Sequence, residues 1–114
     1  MRTAVALLAL TAAGCASAPP AVVVTDAARE IRVDRAPARE TLEEVGPVTA
    51  QSGYGCGRCG KRGNYDDARD ALKAEALKLR ATYVRLTAVE EPYLGFFCFH
   101  NAYVLTGIAY RKPP

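Results

Sequence analysis

The chain has no tryptophan, one histidine (His100) and one methionine (Met1) in 114 residues. Histidine is the side chain that changes charge near neutral pH without help, so the acid–base inventory for an enzyme is thin. No nucleophile, base and orienting group stand in a pattern that would make a catalytic set, and the chain reads as a non-enzyme. Charge of one sign is scarce too: 15 Lys and Arg against 12 Asp and Glu leave +3. That is too little for the basic footprint of a nucleic-acid binder. There is no internal repeat, and no apolar run is long enough to span a bilayer as a helix. Glu90-Glu91 beside Pro92 read as a solvated turn rather than a carboxylate pair.

Glycine and cysteine, by contrast, are concentrated in one place. Gly53 to Gly63 reads G-Y-G-C-G-R-C-G-K-R-G and holds five of the nine glycines and two of the four cysteines. A strand-like segment enters it, a helix-like segment leaves it, and Cys98 must return to it if a covalent or metal link closes the fold. The folded part is one small domain, near the size where a core alone is a marginal source of stability. A staple is therefore expected.

Met1-Arg2 is a short positive lead, and Thr3 to Ala13 is an apolar run of eleven. That length suits the hydrophobic region of a signal peptide. It ends in Ala12-Ala13-Gly14-Cys15, small residues followed by cysteine. The segment resembles a bacterial lipoprotein signal, in which Cys15 receives a thioether-linked diacylglycerol and becomes the N-terminus. Ala12 departs from the Leu preferred there. The alternative is an ordinary secretory signal cut near Ala18. Both place the domain in an oxidising compartment, and acyl chains in pairs anchor stably. For a lipoprotein of the kind it resembles, Ala16-Ser17 with no Asp after the cysteine implies the outer membrane, with the domain facing the periplasm. The expected organisation is thus a signal over 1–14, a lipidated cysteine and flexible tether over 15–30, and a domain over 31–114. Pro19-Pro20 stiffens the tether, and Val22 to Val24 are a candidate extra edge strand.

Ile31 and Val33 alternate with Arg32 and Asp34, a short first strand. A second strand lies within Leu42 to Gln51, with Pro47 requiring a strand start, a bulge or an edge. Asn64 is a helix N-cap, and Asp66 and Asp67 sit in the first turn, where the helix dipole favours acids. Ala68, Ala71, Leu72, Ala76 and Leu79 share one helix face. The helix ends near Arg80-Ala81 without the usual glycine. Tyr83 to Val89 is the third strand. Ala102 to Arg111 is the fourth, central and covered on more than one side, with Gly107 at a bulge or close backbone contact. The fold class is α+β: a small, mostly antiparallel sheet of three to four strands with one helix packed across it, in β-β-α-β-β order.

The glycine–cysteine loop admits four readings. Gly55, Gly57 and Gly60 match G-x-G-x-x-G, and Gly55, Gly60 and Lys61 match most of a phosphate loop. However, Arg62 stands where magnesium needs Ser or Thr, and the helix starts too late for its N-terminus to hold a phosphate. No nucleotide is expected. A redox C-G-R-C wants its first cysteine at a helix N-terminus, and Cys56 lies well upstream of Asn64. Cys56, Cys59, Cys98 and His100 could form a Cys3His zinc site, the alternative to a cofactor-free protein. The favoured reading is a structural disulfide from Cys98 to Cys56 or Cys59, leaving one odd cysteine, free or bonded to another chain. Leu94-Gly95-Phe96-Phe97 and Phe99 either fold back as core or form an apolar contact patch. Arg58, Lys61 and Arg62 are a solvated loop, or contact anionic headgroups or cell-wall polymer.

Taken together, V-G-P-V-T, the cysteine loop, G-N-Y-D-D-A, A-T-Y-V-R-L, E-P-Y, a cysteine and A-Y-V-L-T-G-I-A-Y-R resemble a family of small uncharacterised outer-membrane lipoproteins. That family is distantly similar to the envelope-stress sensor lipoprotein of the Rcs phosphorelay, and more remotely to small heavy-metal-binding domains. The resemblance covers Val45 to Arg111. It implies a Cys56–Cys98 disulfide, with Cys59 an extra. The resulting expectation is a membrane-anchored module that binds, senses or scaffolds through contact with an envelope protein or cell-wall partner. Its contact surface would be the Cys56–Arg62 loop beside Leu94–His100, with Arg58, Lys61, Arg62, Leu94, Phe96 and Phe97 the candidate residues. The alternatives are a metal-binding domain and a thiol–disulfide oxidoreductase.

Overall fold

The computed structural model describes residues 18–114. The expected signal, the lipidation candidate Cys15 and the first residues of the tether lie outside the described residues. The elements run α1 (Asp26–Arg29), β1 (Arg32–Asp34), β2 (Glu43–Ser52), a 3-10 turn (Gly57–Cys59), α2 (Tyr65–Lys78), β3 (Tyr83–Glu90), β4 (Tyr93–Leu94), β5 (Phe99–His100) and β6 (Tyr103–Arg111). The fold is α+β, with α2 packed across a four-stranded sheet of order β1-β3-β6-β2. No helix among the described residues is long and apolar enough to cross a membrane.

Helix α2 forms where its local chemistry says it should. Asn64 has extended backbone and its Oδ1 accepts from Asp67 N at 2.9 Å. Ala68, Ala71, Leu72 and Ala76 are buried on the expected face. Leu79, expected on that face, is instead the half-exposed C-cap. Alanine on the buried stripe leaves no bulk between helix and sheet, so Leu72 meets Val84 and Leu105 in the core. Arg80 then takes the left-handed conformation, φ 57°. Its N–H donates to Leu77 O at 2.9 Å, and Ala81 N donates to Ala76 O at 3.1 Å. This is the closing pattern that glycine usually supplies. A side chain in that backbone region is strained by about 1 kcal/mol. Arg80→Gly should therefore raise stability by up to about 1 kcal/mol, or roughly 5 °C in Tm, less what glycine loses in chain entropy. A thermal melt that falls instead would mean the Arg80 side chain has a structural role.

The sheet is mixed. β2–β6 and β3–β6 are antiparallel, whereas β1 pairs parallel with β3, Val33 opposite Val84. β6 is central, as its covered sequence implied. Pro47 lies on β2, an edge strand, close to an irregularity between Glu44 and Gly46. There its missing N–H costs the ladder nothing on the open side. Gly107 sits where a Cβ would press on Arg85 O and Val84 Cγ1, beside the register shift between Leu86 and Ala88. Tyr83 is buried at the β1 side, donating its hydroxyl to Ala36 O, and burial raises its pKa.

The folded body reaches further back than Ile31. Thr25 Oγ1 accepts from Ala28 N at 3.2 Å, Ala28 is fully buried, and Lys73 Nζ donates to Arg29 O at 3.3 Å. So 26–30, read as the end of the tether, packs on α2. Val22 to Val24 are in no strand. Small apolar side chains here find the alanine face of α2 before any sheet edge.

Candidate functional site

Cys56 and Cys98 are joined, with Cα atoms 5.7 Å apart and a sequence separation of 42. The bond ties the glycine loop to a short hairpin, Tyr93-Leu94 against Phe99-His100. Cys56 also bridges His100 as an isolated β-pair. The C-x-x-C spacing is therefore not closed on itself. Among the described residues no cysteine is a free thiol, so Cys59 is not the free odd one that the pairing alone would leave. As a disulfide, Cys56 and Cys98 carry no thiolates for the Cys3His set. Among the described residues no group of His, Cys, Asp or Glu could hold a metal ion. His100 is exposed and stacks on Tyr93 at 4.5 Å between ring centroids.

The glycines serve close approach of two chain limbs. Tyr54 N donates to Lys61 O at 2.9 Å and Lys61 N returns to Tyr54 O at 3.0 Å. A Cβ on Gly63 would fall on the Ser52 carbonyl, and one on Gly60 on the Tyr54 carbonyl. Several of the loop's N–H groups are spent inside the protein. Cys59, Gly60, Lys61 and Gly63 donate to carbonyls of Cys56, Gly57, Tyr54 and Asn101. Phosphate cradles need such groups pointing outward. The α2 N-terminus is likewise filled by Asn64 and fronted by Asp66 and Asp67.

Asn101 holds this assembly and was not singled out in the sequence. It is the buried polar residue of the region, 5% exposed. Its Nδ2 donates to Tyr54 O at 3.3 Å and Gly57 O at 3.0 Å, its carbonyl accepts from Gly63 N at 2.9 Å, and its N–H donates to Gly55 O at 3.2 Å. One asparagine thereby pins both limbs of the loop to the hairpin. Nothing marks it in a sequence, because Asn is common in solvated turns.

The hairpin ends in two phenylalanines. Gly95 N donates to Cys98 O at 2.8 Å, which leaves Phe96-Phe97 as the tip. Phe96 is 95% exposed, Phe97 93% and Leu94 80%. The core alternative is thus excluded for these three. The arms are two residues each, too short to fold their tip back onto the sheet. Phe99 alone is half-covered, with the Arg62 guanidinium over its ring at 4.8 Å. Arg58, Lys61 and Arg62 are all exposed. The structure therefore gathers the six candidate contact residues onto two loops joined by one disulfide. No protein-family model and no curated protein matches this chain.

Proposed function

We propose that the protein is a lipid-anchored, non-catalytic module of the bacterial envelope, attached through Cys15 and acting by binding in a sensing or scaffolding role. The observation that carries the binding surface is the Phe96-Phe97 tip, apolar, exposed and stapled by Cys56–Cys98 to a loop that bears three exposed cations. A protein that holds a patch of apolar side chains in solvent with a disulfide has a partner for them. The Ala-Ala-Gly-Cys15 signal supports the anchor and the outer-membrane location. The resemblance over Val45 to Arg111 supports the same class. A disulfide suits an oxidising compartment.

The test is metabolic labelling with a clickable palmitate in bacteria expressing the whole chain. The parent should label and sediment with membranes. Cys15→Ala should lose the label. Equal labelling of both, or a parent wholly in the soluble fraction, would refute the anchor. Counting thiols by alkylation of the denatured, unreduced protein tests the zinc alternative: a metal mass lost on denaturation, with Cys56 and Cys98 alkylated, would replace the disulfide reading.

A further inference from the structure

We infer that the Phe96-Phe97 tip inserts into the interface of a phospholipid bilayer containing anionic lipid, which orients the domain on the membrane that anchors it. The inference rests on the loop pair being the contact surface and on the anchor at Cys15.

Three observations favour a bilayer over a protein. The first is shape. The tip is a convex pair of rings, Phe96 edge-on to Phe97 with centroids 4.8 Å apart, exposed over more than nine-tenths of its surface. A protein partner must offer a pocket shaped for such a knob. A bilayer interface accepts aromatic side chains without one.

The second is the order of chemistry along the protrusion. Apolar Leu94, Phe96 and Phe97 come first, and exposed cations lie behind. Arg62 stands over Phe99 on the hairpin arm, and Arg58 lies in the turn directly after the disulfide. Cations at headgroup depth behind inserted apolar groups match an anionic surface. The acids nearest the hairpin in sequence, Glu90 and Glu91, precede it, and Asp66 and Asp67, which follow the cation loop, front the α2 N-terminus.

The third is where the chain comes from. Pro19 and Pro20 line the same surface cleft as Gly53, Tyr54 and Lys61. From Pro19 to Cys15 is four residues, and extended chain spans at most about 14 Å over that length. An acylated Cys15 therefore holds the glycine loop, and the hairpin stapled to it, close to the bilayer. The expected long spacer becomes a short one.

The absence of tryptophan makes the test direct. Phe96→Trp introduces the sole tryptophan at the tip, and Leu79→Trp places one at the far end of α2, about 21 Å from its start. Both sites are exposed, so neither substitution disturbs the core. The full chain, purified from membranes, is reconstituted in vesicles of zwitterionic and anionic phospholipid with brominated acyl chains. The tip variant should lose at least about half its fluorescence and shift to the blue. The Leu79→Trp control should not. Replacing Arg58, Lys61 and Arg62 by Gln in the tip variant should lower the quenching on anionic vesicles. Equal quenching of tip and control in chains that float with vesicles would overturn the tip inference and leave the anchor standing. A chain that neither floats nor is quenched would overturn both. A tip shielded only on adding solubilised envelope proteins, with no quenching by brominated lipid, would assign the surface to a protein.

Discussion

The Cys56→Ser/Cys98→Ser double variant should unfold about 20 °C below the parent chain. The bond spans 42 residues of sequence separation, from before α2 to after β3. In the chain-entropy view, opening a loop of that length costs about 4 kcal/mol. A domain this small holds on the order of 5–10 kcal/mol in all, so the variant would be near the margin at growth temperature. Both cysteines are changed together so that neither is left as an odd thiol. The loss has a local side as well. The Gly95 N–H to Cys98 O bond and the Cys56–His100 bridge lie against the staple, so amides around the hairpin should exchange faster than those of β6. Thermal unfolding with hydrogen exchange reads both effects. A melting temperature within 5 °C of the parent would mean that the sheet carries the stability and the bond serves only to hold the tip.

The second large effect is expected at Gly63. Gly63→Ala would put a methyl on the Ser52 carbonyl oxygen, with the Gly53 N behind it. Both obstacles are backbone, so no side chain can swing aside. The limbs must part, which strains the Tyr54–Lys61 pair and the Gly63 N to Asn101 O bond. A destabilisation of about 3 kcal/mol follows. Gly57→Ala is the comparison. There a Cβ meets nothing within 4 Å, and the cost is only the left-handed backbone at φ 56°, about 1 kcal/mol. Urea unfolding of the two variants separates steric contact from backbone preference. Equal losses would mean that the loop opens freely and that its glycines are present for conformation alone. A Gly63→Ala chain as stable as the parent would reopen the reading of the loop as a ligand cradle.

The sequence determined what depends on neighbours in the chain. Asn64 caps α2 because a cap is a contact three residues long, and the alanine face follows from the helical period. The strands β2, β3 and β6 were legible from β-branched and aromatic runs, and Pro47 and Gly107 announced an edge and a tight crossing. The signal-like run up to Cys15 is also a purely local pattern. Tertiary structure decided the rest, because it turns on which distant segments meet. The parallel pairing of β1 with β3 depends on how α2 folds over the sheet. The packing of 26–30 on α2 needs that helix's small residues as a partner. Arg80 takes up a glycine conformation because the fixed positions of α2 and β3 outweigh about 1 kcal/mol of strain. Asn101 gains its role only when the hairpin lies against the glycine loop. Hydrophobicity alone leaned toward core for Phe96 and Phe97 and left a surface patch as the alternative. It is the two-residue arms of their hairpin, held out by Cys56–Cys98, that keep them in solvent.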